Sequence, residues 1–434
     1  MNTRFGGYLT ERGGREDAEL THVARGTPGG EYLRRFWHPL ALASEVTDVP
    51  LAVRLLGEDL VLFRDGGGRL GLVHRRCSHR GASLEFGIAS ERGLRCCYHG
   101  WLYDIDGTIL ETPAEPETSR IRERLCHGAY PVVERAGLVF AYLGHPEARP
   151  ALPRYDSLEW AADLAPFKLT YPCNWLQVHE NTADPIHIPF LHGRVSGTPQ
   201  FSPGFNELPA LAFRETPLGL VVASTRWAGG RVWIRSADVM LPNVAQYPPA
   251  FETSEASRAV VGAWATRWIT PMDDTSSWVI GYRHFDRAID PDGQGRREEV
   301  GLESLDFAGQ TAQVGAARQR NPGDWEAMVG QGPIAVHEDE HLCASDRGVT
   351  MLRNILRTRI RARTATGAEG GDGPGPLPTY TAEIALPCAT APTTAQLADL
   401  GERALRHLVE HAVEPRAVRS QRLASHIREA LACR

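Results

Sequence analysis

The stretch CSHRGASLEFGIASERGLRCCYHGW, from Cys77 to Trp101, brings three cysteines and two histidines into one short segment. Read as ligand spacing, it is Cys77-x-His79, sixteen residues, and a second Cys/His pair ending at His99. The second half has a cysteine to spare, and either Cys96 or Cys97 could serve. Two thiolates and two imidazoles suit a structural zinc ion. They also suit a [2Fe–2S] cluster in which cysteines hold one iron and histidines the other. Zinc sites commonly group like ligands in one loop. Here each loop offers one cysteine and one histidine, which favours a two-iron cluster bridged between loops.

A second set follows in NWLQVHENTADPIHIPFLHG, where the spacing is Asp184-x2-His187-x4-His192. One reading is a helix start, with Asp184 as cap and Pro185 in the first turn. The other is a non-haem iron(II) centre, which needs two neutral imidazoles and a carboxylate on one face and leaves the opposite face open. Histidines five residues apart do not share a face of a regular α-helix, and Pro189 stands between them. The second reading therefore requires a broken or bulged backbone.

The elements that must carry these residues differ along the chain. Residues 18–38 have helical apolar spacing ended by His38-Pro39. From Val53 to Leu143 the pattern is short strands punctuated by Asp65-Gly-Gly-Gly and Asp106-Gly107. A Pro-containing connection from His145 to Pro153 closes this small all-β unit. Beyond it, Leu220–Trp227 and Arg231–Arg235 form a hairpin around Ala228-Gly-Gly, and Ala259–Thr270 with Ser277–Phe285 form another. Helical pattern returns at 324–362. A Gly/Pro loop spans 367–378, and an amphipathic helix runs from Thr394 to His411 with Leu397, Leu400, Leu405 and Leu408 on one face. The arginine series Arg353, Arg357, Arg359, Arg361 and Arg363 reads as a solvated helix face, with partner docking as the alternative.

With 434 residues, two domains are expected, 1–154 and 155–434. Hydrophobic residues make up 42% and charged residues 23%, as in globular proteins. A net charge of −6, from 47 basic and 53 acidic residues, leaves no footprint for nucleic acid. No apolar run is long enough to span a bilayer, and the first residues show no secretory pattern. Eight cysteines, three of them beside histidines, point to a metal site in a reducing compartment, most simply the cytoplasm.

The flanks His79-Arg80-Gly81 and Tyr98-His99-Gly100-Trp101 resemble the Rieske domain of ring-hydroxylating oxygenases, whose motif is Cys-x-His followed by Cys-x2-His. That resemblance implies Cys77, His79, Cys96 and His99 as cluster ligands and leaves Cys97 to packing. The order Rieske motif, then Asn174-Trp175-x-Gln177 and Glu180-Asn181-x2-Asp184-x2-His187-x4-His192, resembles the oxygenase (alpha) component of Rieske non-haem iron oxygenases. Pro271-Met-Asp-Asp-Thr and Gln331-Gly-Pro-Ile-Ala resemble its phthalate dioxygenase and vanillate O-demethylase branch.

The resemblance spans about residues 25–355. It implies an α+β fold, with a Rieske all-β domain followed by a helix-grip catalytic domain of antiparallel sheet flanked by helices. His187, His192 and Asp324 would hold the iron, with Glu326, Asp339 and Asp346 as rival carboxylates. Asn181 would be a polar neighbour of the iron. Asp184 would link His187 to His99 of an adjacent subunit in a homotrimer. The activity implied is hydroxylation or O-demethylation of an aromatic compound with O2. The chain has no dinucleotide-binding Gly motif and no second cysteine cluster, so a separate NAD(P)H-dependent reductase or ferredoxin is expected. A tailoring monooxygenase of natural-product biosynthesis would carry the same motifs. A Rieske electron-transfer protein is disfavoured by the second iron motif.

Overall fold

The computed structural model describes residues 4, 5, 7, 13–194, 200–362 and 375–432. The first unit holds three small antiparallel sheets of three, four and four strands. The strands Trp37–Leu42, Leu138–Tyr142 and Val132–Arg135 form one. Leu51–Leu55, Glu58–Arg64, Leu70–His74 and Ala129–Tyr130 form the second, and four short strands between Ile88 and Glu111 form the third. Trp37–Leu42 is buried along its whole length, because it lies between its own sheet and the larger sheet that follows. The Phe140 and Trp268 rings meet across that junction at 5.4 Å, so one apolar core joins the two units.

The second unit is built on a nine-stranded antiparallel sheet. Its main path runs Asp163–Tyr171, Ser276–Phe285, Ala265–Asp273, Val244–Tyr247, Arg231–Met240, Gly219–Ala228 and Ala210–Thr216. Ala382–Pro387 pairs with both Arg231–Met240 and Arg258–Val261. The helix Thr394–Glu410 buries Leu397, Leu400, Leu405 and Leu408, the face expected from the sequence. It packs on Ala210–Thr216 and Gly219–Ala228 and turns back into Arg416–Ala432. No helix among the described residues is long and apolar enough to cross a membrane.

Four local expectations change. The helix of 18–38 is two short helices, Ala18–Thr21 and Pro28–Leu33. Thr27 caps the second, with Pro28 in its first turn, so the pair restarts rather than continues. Trp37 to Leu42, including His38-Pro39, is strand, its burial overriding local propensity. The strand of 259–270 is two strands: at Gly262 the chain leaves the Ala382–Pro387 neighbour and reaches Ser276–Phe285. The helix of 324–362 is broken into Asp324–Val329 and Arg347–Arg361, since Gly330, Gly332 and Pro333 stop the first.

Most of the Gly/Pro loop, and Arg363, lie outside the described residues. Three of the remaining arginines are paired within the chain. Arg353 pairs with Glu180 at 2.5 Å and with Glu340, Arg357 with Asp17, and Arg361 with Glu19 at 2.7 Å. They bind the long helix to the start of the chain and to the segment that leads into the second histidine motif.

Candidate active site

Two loops project from the strands of the first unit and are built alike. The amide of Gly81 donates to the Cys77 carbonyl at 2.8 Å, and that of Gly100 to the Cys96 carbonyl at 3.1 Å. Both glycines have positive φ, +74° and +72°, the left-handed turn that side chains resist. Cys77 and Cys96 are buried and adjacent, while His79 and His99 face each other at the rim with ring centroids 4.6 Å apart. Trp101 stacks on His79 at 4.8 Å, and the Tyr103 hydroxyl lies 2.9 Å from Cys77 Sγ.

Burial raises the pKa of the Cys96 thiol, and the neighbouring Cys77 adds to this. Desolvation and the charge of His79 hold His99 below its ordinary range. His127 is structural: it bonds Ser78 at 2.6 Å and the His74 carbonyl at 2.9 Å, bracing the first loop. Cys97, expected to pack, is exposed instead. The tight turn that points Cys96 inward sends the next side chain outward.

The second site sits against the large sheet. Asn174 caps the helix Trp175–Glu180. After Asp184-Pro185 comes a helical turn His187–Pro189, then a π-helical turn Phe190–Arg194. The wider turn is the bulge that the five-residue spacing demands, and it brings His192 round beside His187. Asp324 arrives from the first turn of Asp324–Val329. Its Oδ1 lies 3.1 Å from His192 Nε2 and 3.5 Å from His187 Nε2. The three ligating atoms lie within 4.8 Å of one another, a spacing that can hold a metal ion.

Each of the three is held from behind, as metal ligands require. His187 Nδ1 donates to the Asp184 carbonyl, and His192 Nδ1 to Gln200 Oε1 at 2.7 Å. Both Nε2 lone pairs are thereby turned toward Asp324. Gln310 donates to Asp324 Oδ2, and Asn181 Nδ2 to Oδ1 at 3.1 Å. Gln310 reaches its place through a backbone contact that glycine alone permits: a Cβ on Gly323 would lie 2.2 Å from Gly309 Cα.

Burial opposes ionisation of Asp324, but His192, His187 and Arg267 outweigh it and hold this carboxyl far below the usual range. Burial likewise lowers the pKa of His187, yet Asp184 and Asp324 leave it raised. Two of the rival carboxylates are engaged elsewhere. Glu326 accepts the Gly323 and Gln313 amides, and Asp346 accepts the Cys343 amide. Asp184 keeps its carboxylate 3.8 Å from His187 Nδ1, with the Ile186 amide on Oδ1 at 3.0 Å.

The triad lines one end of a cleft. Phe201 stacks on His192 at 4.2 Å, and Phe307 and Tyr247 continue the aromatic wall. Gln200, Gln310 and Arg267 escaped the sequence reading because each sits outside any ligand spacing.

Residues 36–127 match the Rieske [2Fe-2S] domain family. The oxygenase subunit of tert-butanol monooxygenase / tert-amyl alcohol desaturase from Aquincola tertiaricarbonis is 45% identical over 80% of this chain and 76% of that protein. The chain is a Rieske oxygenase. The alpha subunit of phenoxybenzoate dioxygenase from Ectopseudomonas oleovorans is 40% identical over 83% of this oxygenase and 88% of its own length. Among solved structures, dicamba monooxygenase bound to dicamba superposes with a TM-score of 0.55 at 18% identity, covering 76% of this chain and 97% of that one, and shares the α+β fold.

The oxygenase belongs with the phthalate dioxygenase and O-demethylase branch. It is an oxidoreductase using O2, with a [2Fe–2S] cluster and a mononuclear iron as its cofactors. The two donor sets fit these groups: paired thiols and paired imidazoles in one unit, two lone pairs and an ionised carboxylate in the other.

Proposed function

We propose that this oxygenase subunit hydroxylates or O-demethylates an aromatic compound bound in the cleft beside His187, His192 and Asp324. The observation that carries this reading is the convergence of those three ligating atoms at the end of a cleft walled by aromatic rings. Cys77, His79, Cys96 and His99 hold the [2Fe–2S] cluster; His187, His192 and Asp324 hold the iron. When bound, these groups supply electron transfer and O2 activation respectively. Asn181, Gln310 and Gln200 keep the ligand set in register, and Phe201 and Phe307 place the substrate ring and exclude water.

The Rieske and catalytic domains divide near 154/155. Electrons come from a separate NAD(P)H-dependent reductase or ferredoxin in the cytoplasm. The active form is a homotrimer in which Asp184 joins His187 to His99 of the adjacent subunit. A groove lined by Asp184, His187, Leu342 and Val336 opens beside Asp184 and offers room for that neighbour. A second reading, oxidation of a small branched alcohol, is favoured by the 45% identity to the tert-butanol enzyme.

The deciding experiment is O2 uptake driven by NADH and a surrogate reductase, with methoxyarenes, benzoates and tert-butanol as candidates. Substrate-coupled uptake with aromatic compounds supports the proposal. Uptake with the alcohol alone transfers it to the second reading, and none with any compound in fully metallated protein refutes both.

A further inference from the structure

One buried arginine stands behind the iron site without a direct hydrogen bond to any of its three ligands. Arg267, on the strand Ala265–Asp273, is 4% exposed. Its Nη1 donates to Gln310 Oε1 at 3.3 Å. Its Nη2 donates to Thr182 Oγ1 at 3.0 Å and, more weakly, to Asn181 Oδ1 at 3.5 Å. Among the described residues, no carboxylate lies within ion-pair distance of it. Other buried arginines of this fold are matched directly: Arg283 has Asp306 at 3.1 Å, and Arg419 has Asp156 at 3.3 Å. Arg267 reaches its counter-charge, Asp324, through two amides instead.

The direction of each bond matters. A guanidinium carries donors only, so an amide that meets it must present its oxygen. With their oxygens turned to Arg267, Asn181 and Gln310 present their NH2 groups on the other side, where Asp324 lies. Asn181 Nδ2 donates to Oδ1 at 3.1 Å, and Gln310 Nε2 to Oδ2. One cation thus settles the orientation of two amides, and the amides settle both oxygens of one carboxylate. Gln310 is 1% exposed, and its backbone carbonyl accepts the Tyr171 hydroxyl at 2.7 Å. Its main chain is therefore fixed, and only the side chain needs locking. An amide bonded at one end can swing; bonded at both ends it is held.

We propose that Arg267 is a positioning residue for the mononuclear iron, acting through Asn181 and Gln310 to hold Asp324 Oδ1 toward His187 and His192. This deepens the oxygenase reading and rests on it for the identity of the metal. The role has a sign that separates it from a plain charge effect. Burial opposes ionisation of Asp324, and Arg267 contributes less to overcoming it than His192 or His187. A positive charge beside a cation site repels the incoming ion. Acting by charge alone, Arg267 would therefore weaken iron binding, and its removal would tighten it. Acting by holding the ligand, it strengthens binding, and its removal costs affinity.

The test is iron(II) affinity, measured anaerobically near neutral pH by chelator competition on the full chain with its Rieske cluster retained. Arg267→Gln should bind iron about 10- to 100-fold more weakly, the usual scale for bonds made behind a metal ligand. Arg267→Lys keeps the charge but loses the fork that spans both amides, so it too should be weakened, by about 10-fold. The near-infrared magnetic circular dichroism of the ferrous site should change in both variants, while the Rieske EPR signal stays as in the wild type. In an Asn181→Ala/Gln310→Ala background the amides that transmit the effect are gone. There Arg267→Gln should change iron affinity by less than about 2-fold.

Unchanged or tighter iron binding in Arg267→Gln, or wild-type affinity in Arg267→Lys, would overturn the assignment. So would an undiminished loss in the background lacking both amides, since the arginine would then act without them. If Arg267→Gln fails to fold, Arg267→Lys still decides. Tight wild-type binding with unaffected variants would remove this inference and leave the oxygenase reading standing. Wild-type protein that takes up no iron at His187, His192 and Asp324 would remove the reading itself.

Discussion

Asp324 carries a large share of the second site: both imidazole Nε2 atoms, Asn181 and Gln310 all point at its two oxygens. Its removal should therefore affect the mononuclear iron and nothing in the first unit. Asp324→Ala should lose about one iron per chain by metal assay and keep an unchanged Rieske EPR signal. Full iron content in that variant would return the ligand role to another carboxylate. The doubled cysteine gives a matching pair. Cys96 is buried beside Cys77 while Cys97 is exposed, so Cys96→Ala should yield colourless or unstable protein. Cys97→Ala should retain the absorption and EPR of the cluster. The ligand types and spacings were legible in the chain because metal chemistry constrains them locally. Gln200 and Gln310 were not, because a hydrogen bond from behind a ligand can come from anywhere in the fold.

At the level of elements, the segment Trp175–Arg194 works as one unit, and the long helix Arg347–Arg361 holds it from outside. Arg353 binds both oxygens of the buried Glu180, one residue before Asn181. Burial raises the pKa of Glu180, and Arg353 is what opposes that shift. Arg353→Met leaves a buried carboxyl unpaired, a loss of about 3–5 kcal/mol. It should lower the unfolding free energy from urea titration by that amount and reduce iron occupancy, since Asn181 and Asp184 follow closely in the chain. A stability change below about 1 kcal/mol would show that the pair is mere surface decoration. The charges of this helix were visible in the sequence; their partners near residues 17, 19 and 180 were not.

At the scale of the whole molecule, the Leu56 and Gly57 amides of the first unit donate to Pro271 and Met272 of the second, and Arg34, Glu58 and Tyr130 tie the first unit together beside that junction. Arg34 lies 2.7 Å and Tyr130 Oη 2.5 Å from the Glu58 carboxylate. Burial raises the Glu58 pKa, but bonds from His74, Tyr130 and Arg34 outweigh it and bring it down from 4.5 to about 2. A depressed carboxyl contributes stability that is complete above its unfolded pKa and is lost as pH falls through the folded one. Urea midpoints should accordingly fall between pH 4.5 and 2, and Glu58→Gln should flatten that part of the profile.

The proposed trimer makes the larger prediction. Asp184→Asn keeps the capping oxygen that accepts the Ile186 amide but loses the charge that would join His187 to a neighbouring His99. Both metals should stay bound and the cluster reducible, while single-turnover oxidation of the cluster with substrate and O2 is nearly abolished. Near-normal single turnover, or a fully active monomer, would sink the bridge.

The sequence by itself determined the metal chemistry, the order of the two units and the need for a distorted turn. Cys77, His79, Cys96, His99, His187 and His192 each lie in a local spacing that few other functions require. The turn followed from simple geometry, since histidines five residues apart cannot face together on a regular helix. Tertiary structure decided what local pattern cannot encode. Trp37–Leu42 and Ala382–Pro387 are strands because both are almost wholly buried, and burial on two faces erases the alternation that marks a strand. Cys97 faces outward because a glycine turn closes around its neighbour.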